Sequence, residues 1–141
     1  MSRIFIDTNF LIYVSDDGDS TKRDHAKMLW KQLSLTDPDS PVISTQVLQE
    51  YYNGLTKKLK ISPANAKEKL ELLASVETLT ITPSIVLAAA DLHAAHSISF
   101  WDALIIAAAQ YANCDELWTE DLQDGRSFGS LKVRNPFVGM S

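Results

Sequence analysis

The stretch Ile4-Phe5-Ile6-Asp7-Thr8-Asn9 decides the fold: three apolar residues, then an acid, then two residues that start helices. Three consecutive apolar positions suit a strand buried on both faces, the usual state in a parallel sheet. Thr8 and Asn9 are favoured N-cap residues, so a helix is expected to open just beyond them. Asp7 then stands at the carboxyl end of the first strand, where open α/β sheets bind their ligands. A lone acid in that position is more often a cap or turn residue, so its meaning depends on what the rest of the chain brings beside it.

The chain has 141 residues, 45% apolar and 22% charged, close to globular averages. One domain over residues 1–141 is expected, with no repeat, low-complexity tract or internal boundary. The single Cys114 leaves no internal disulfide and no multi-cysteine metal site, which fits a reducing compartment. The apolar run before Asp7 is too short for a signal-peptide core, and Asp91, His93 and His96 break up the Ala-rich region before it could span a membrane. The expectation is a cytoplasmic protein with no membrane association. A net charge of −5 argues against a general nucleic-acid binder. It argues less against an enzyme acting on nucleic acid, because acids in a metal site are neutralised by bound cations. Cations also cluster locally, at Lys57, Lys58 and Lys60 and again at Arg126, Lys132 and Arg134.

Helical and extended patterns alternate along the chain. Residues 15–20 read as a solvated acidic loop, lacking the ligand spacing and distal Glu of an EF-hand. A helix from Thr21 carries Ala26, Leu29, Trp30 and Leu33 on one stripe and stops before Pro38 and Pro41. Residues 42–44 form a second strand, Thr45 caps the next helix, and Val47, Leu48, Tyr51 and Leu55 make its buried face. Glu50 projects from the flank of that face. Ser62-Pro63 and Thr82-Pro83 are repeated start signals for helices to about Ser75 and His96, with a third strand over 76–81 between them. His93 and His96 are three apart but lack a third ligand, and so read as structural. Ser99 and Asp102 have capping-box spacing at the head of a helix that is apolar nearly all round, with Trp101 expected in the core. A fourth strand over 116–119 runs into Glu120, Asp121 and Asp124, and Leu131-Lys132-Val133 is expected as a fifth at the sheet edge.

This alternation implies right-handed crossovers and a mostly parallel sheet of four to five strands with helices on both faces. The strand C-termini then share one edge. Asp7 and Asp121 leave strands there, while Glu50 and Asp102 stand on early turns of helices that begin there. Two carboxylates about 4 Å apart repel by roughly 4 kcal/mol at an effective dielectric near 20, so such a cluster needs protons or cations. An oxygen-only ligand set favours magnesium or manganese over zinc and suits phosphodiester hydrolysis by a metal-activated water.

Asp7-Thr8-Asn9, Glu50 within Leu48-Gln49-Glu50-Tyr51-Tyr52, Trp101-Asp102-Ala103-Leu104-Ile105 and Thr119-Glu120-Asp121-Leu122 occur in the order of the PIN-domain nucleases. Over essentially its whole length the chain resembles that family, and within it the VapC-type ribonuclease toxins of toxin–antitoxin pairs. The resemblance implies a PIN-like three-layer α/β/α sandwich and a magnesium-dependent endoribonuclease (manganese being the alternative) acting on tRNA or another structured RNA. It makes Asp7, Glu50, Asp102 and Asp121 the catalytic metal ligands, with Asp7 and Asp102 the principal ones. Asn9 and Thr119 would order the acids, and the Thr-x-Asp pattern favours Asp121 as the fourth acid over its neighbour Asp124. Lys57, Lys58 and Arg126 are candidates for guiding the RNA backbone. A homodimer and a small antitoxin covering the acidic pocket are the implied partners. Two other readings stand beside this one. A haloacid-dehalogenase-like phosphatase with Asp7 as nucleophile usually wants a second acid where this chain has Asn9. A non-catalytic binding module of the same fold would not need all four acids.

Overall fold

The structure, a computed structural model, describes residues 2–18 and 20–139. Asp19 of the expected acidic loop, and Met1, Met140 and Ser141 of the expected single domain, lie outside the described residues.

The first apolar run forms β1 (Ile4–Ile6) at the centre of the sheet, fully enclosed as three consecutive apolar residues predict. On one side it pairs in parallel with β2 (Pro41–Ser44), which pairs in parallel with β3 (Glu77–Leu79). On the other side β1 pairs in parallel with β4 (Glu116–Trp118), and β4 with β6 (Leu131–Arg134). The short β5 (Ser127–Phe128) closes this edge antiparallel to β6, giving the order β3-β2-β1-β4-β6-β5. The expected fifth strand is therefore not the edge. The sheet has six strands among the described residues, because two residues of β5 are enough to cover β6 but too few to show a period-2 pattern. The third strand is also shorter than the expected 76–81.

Six helices among the described residues connect the strands. They are α1 (Thr8–Ser15), α2 (Thr21–Thr36), α3 (Thr45–Lys57), α4 (Pro63–Leu73), α5 (Pro83–Ala95) and α6 (Phe100–Tyr111). Helix α1 packs on α2 and α3, α3 on α4, and α5 along α6, which also lies against β2 and β4. The parallel sheet and its helices make the three-layer α/β/α sandwich that the alternation predicts.

The start signals hold with small shifts of register. Ser62 and Thr82 cap α4 and α5 through their side chains, each followed by proline in the first turn. Asp7 rather than Thr8 caps α1, and Ser44 rather than Thr45 caps α3, so both helices begin at once where their strands end. Phe5, Ile6, Val42, Ile43, Leu117 and Val133 are wholly buried in the sheet's main core, each contributing about 1.5–3 kcal/mol. Ile85, Ala89, Ala103, Leu104 and Ala107 form a second apolar cluster between α5 and α6. Trp101 is not in either core: it stands in the first turn of α6 and is 63% exposed.

Candidate active site

The β1–α1 junction, helix α3, the start of α6 and the segment after β4 line one depression of about 260 Å³. Asp7, Glu50, Asp102 and Asp121 all line it, together with Thr8, Asn9, Gln46, Lys58 and Trp101. Four acids separated widely in sequence are thus brought to one place by the parallel order β2-β1-β4 and the helix starts beside it.

Asp7 is the most deeply set of them, at 7% exposure. Its Oδ1 accepts the Thr8 backbone N–H at 2.7 Å, and its Oδ2 accepts the Thr119 hydroxyl at 2.6 Å. Burial pushes the Asp7 carboxyl up to about 7, against these two hydrogen bonds, and the charges of Asp121 and Glu50 push in the same direction as burial. Asp102 lies in the first turn of α6, where its backbone N–H is capped by Ser99 Oγ at 3.1 Å. Its carboxyl is also raised, first by burial, with a bond from Ser99 opposing and the charges of Asp121 and Glu50 adding to the rise.

The supporting contacts are specific. Glu50 Oε1 accepts the Thr8 hydroxyl at 2.8 Å, and its Oε2 lies 3.4 Å from Gln46 Nε2. The same Gln46 nitrogen reaches the Trp101 carbonyl at 3.3 Å, while Gln46 Oε1 is buried without a partner. Thr119 joins two acids through one oxygen: it donates to Asp7 and accepts the Asp121 backbone N–H at 3.1 Å. Asn9 Nδ2 lies 3.5 Å from Asp121 Oδ2, at the limit of a hydrogen bond. The sequence marks Thr8 as a helix starter and not as a partner of Glu50, and it does not single out Gln46. Gln46 could have been found from its position one helical turn before Glu50, and Thr8 from its place directly after Asp7.

The other candidates divide sharply. Lys58 lines the pocket, whereas Lys57 is exposed in the last turn of α3 and does not line it. Arg126 lies against the Phe128 ring at 4.6 Å with Nη2 3.3 Å from His96 Nδ1, a packing arrangement outside the pocket. Asp124 accepts the Asn135 backbone N–H at 2.9 Å and does not line the pocket, so Asp121 is the acid placed beside Asp7, Glu50 and Asp102. His93 Nδ1 pairs with the Ile98 carbonyl at 2.9 Å, so both histidines have structural contacts.

Among the described residues, no three acidic, His or Cys side chains are already closed to ion-holding spacing. The donor set nonetheless fits a hard divalent cation. The pocket offers four carboxylates and the amide and hydroxyl oxygens of Asn9, Gln46 and Thr8, and no sulfur or imidazole. Burial raises Asp7 and Asp102 first, and the charges of Asp121 and Glu50 add a repulsion that a bound cation would relieve.

Fold and pocket together define an α/β/α protein with an acid-lined ligand site at the carboxyl edge of a parallel sheet. A profile of the PIN domain matches residues 4–123, and the chain belongs to that family. No curated protein sequence gives a significant match. Among solved structures, the chain is similar to VapC20 of Mycobacterium tuberculosis, described as a sarcin-ricin loop cleaving toxin. They share 24% identity over 92% of this chain and 98% of that one, with a TM-score of 0.69. It is also similar to a toxin–antitoxin complex from Klebsiella pneumoniae (24% identity, 96% and 98% covered, TM-score 0.71). A third is VapBC2 of Rickettsia felis, bound to a fragment of promoter DNA (20% identity, 94% and 97% covered, TM-score 0.68). At these identities the likeness establishes the fold. Among the described residues no helix is long and apolar enough to cross a membrane.

Proposed function

We propose that this protein is a magnesium-dependent endoribonuclease, with manganese as the alternative ion, and that it serves as the toxin of a toxin–antitoxin pair. The observation that carries this reading is the gathering of Asp7, Glu50, Asp102 and Asp121 from four remote segments into one pocket around a buried carboxyl. Asp7 and Asp102 would be the principal holders of the ion, with Glu50 and Asp121 completing the set. Chemistry supplied by the ion when bound is a more acidic attacking water and charge relief at the leaving oxygen.

The chain's own residues prepare the site. Thr119 and the Thr8 N–H hold both oxygens of Asp7, so its carboxyl cannot turn away. Thr8 and Gln46 do the same for Glu50 from opposite sides. Water adds to phosphorus, the bond to the leaving sugar oxygen breaks, and that oxygen takes up a proton; no side chain is needed as nucleophile. Lys58, at the rim, supplies a positive charge for the substrate's phosphate backbone. A structured RNA such as tRNA is the preferred substrate class, in line with the Mycobacterium tuberculosis relative's description as a cleaver of the sarcin-ricin loop. A homodimer restrained by a small antitoxin over the acidic pocket is the assembly expected; the Klebsiella pneumoniae relative, a toxin–antitoxin complex, supports the antitoxin partner alone. The cytoplasm is the compartment where RNA and antitoxin would be met.

Induced expression in bacteria tests the reading. Wild type should arrest growth with discrete RNA cleavage, and Asp7→Asn and Asp102→Asn should do neither. Equal arrest by all three proteins, or cleavage by purified wild type in excess EDTA, would refute it.

A further inference from the structure

Trp101 is the second residue of α6, directly before Asp102, and it lines the acid pocket while leaving 63% of its surface in solvent. A side chain of this size in water forgoes most of what its burial would contribute, so its position invites a partner. Two contacts bear on its position, one on the ring and one on the backbone. The indole meets the half-buried Phe100 ring edge to face at 5.3 Å and 76°, and the Trp101 carbonyl is tied to α3 through Gln46. The edge-to-face contact with Phe100 limits the freedom that the ring has to lose on taking a ligand.

The exposed apolar residues of α5 offer no continuous patch that would claim it. Phe100 touches His93, whereas Leu87 lies six residues earlier on α5, about 9 Å along the helix. What adjoins Trp101 is instead the cluster of acids, which repels anionic groups but not the uncharged π-face of a base. With the scissile phosphate at the acids and Lys58 also on the pocket wall, a neighbouring base lies within reach of the residue adjoining Asp102.

We infer that Trp101 is a nucleobase-stacking platform for the nucleotide beside the scissile phosphodiester, an inference that rests on the nuclease reading. The ring replaces the stacking partner that the base loses on leaving its helix, so the preferred substrate is unpaired at the cut, as in an RNA loop. The subsite is tolerant of base identity, since every base has a π-face.

Binding to the Asp7→Asn protein, in which RNA stays whole, tests this with magnesium present. The probes are a single-stranded decamer of adenylate and a ribose-phosphate decamer of the same length without bases. The adenylate decamer should bind about 10-fold more tightly than the abasic one, the order expected for one base–aromatic stack. Adding Trp101→Ala should remove that preference without weakening abasic binding further, and Trp101→Phe should keep most of it. With Asp7 intact, Trp101→Ala should raise KM for the adenylate decamer by a similar factor with kcat little changed. Equal adenylate binding with and without Trp101→Ala overturns the proposal. So does a Trp101→Ala protein whose only change is a lower mass in light scattering, which would make the ring a protein contact. Failure of the wild-type protein to cleave any RNA in magnesium overturns the nuclease reading, and the stacking platform with it.

Discussion

Replacing Asp7 by Asn should make the metal-free protein more stable at alkaline pH, although it removes a central residue of the site. The folded Asp7 carboxyl titrates near 7, against an ordinary value of 3.8. Between those values the folded state holds a proton that the unfolded state has released. Stability from this group is therefore complete below pH 4 and lost as pH rises through 7. The raise of about three units corresponds to roughly 4 kcal/mol. Asn keeps an oxygen for the Thr8 N–H, but its amide turns the Thr119 hydroxyl from donor to acceptor, a loss of about 1 kcal/mol. The net expectation is that Asp7→Asn is about 1 kcal/mol less stable than wild type at pH 4 and about 3 kcal/mol more stable at pH 8.5. Urea unfolding in EDTA, followed by tryptophan fluorescence at both pH values, measures the difference directly. Magnesium added at pH 8.5 should close the gap by stabilising wild type alone. Equal stability of the two proteins at pH 8.5 in EDTA would refute the reasoning, because Asp7 would then ionise without cost.

Three further substitutions bear on the site and its scaffold. Thr119→Val strips a partner from Asp7 and from the Asp121 N–H, and should cost about 2 kcal/mol in urea unfolding and lower kcat for RNA cleavage, whereas Thr119→Ser should restore both. Asp121→Asn should raise the magnesium concentration needed for half-maximal cleavage, while Asp124→Asn, at a residue that accepts the Asn135 backbone N–H outside the pocket, should leave it unchanged; the opposite ranking would move the fourth acid to Asp124. Gly54→Ala would bring a Cβ to 2.3 Å from Ile12 Cδ1 where α1 crosses α3, and a melting curve should show a loss of about 1–3 kcal/mol, with no loss if Ile12 turns aside freely.

The sheet was legible because its central strands are unbroken apolar runs ending in polar start signals, as at Ile4–Asp7 and at residues 42–44 before Thr45. Strand β5 was not, since Ser127 and Phe128 acquire their extended form only by pairing with β6. Trp101 was misread for a related reason: it shares a helical face with Leu104 and Ile105, and periodicity alone places it with them in the core. Whether a stripe is covered depends on where the sheet stops, and the sequence does not mark that. The acids were individually ambiguous and became informative through the topology that gathers their segments. Gln46 carries no signal apart from its spacing to Glu50, and Arg126 gave none of its packing against Phe128. A polar or charged residue written in sequence does not disclose whether its neighbour will be water or a ring.

The adjacency of β1 and β4 has a consequence for synthesis. Asp7 and the Thr119 that orders it directly follow neighbouring strands, yet 112 positions separate them in the chain. A ribosome that has released only the segment through α5 has exposed Asp7 and Glu50, but neither Asp102 nor the β4 segment that completes the pocket. On the proposed function, a nascent chain of this kind would lack the complete acid set needed to cut RNA. The topology delays the assembly of the four-acid pocket until the β4 segment and Asp121 behind it have emerged.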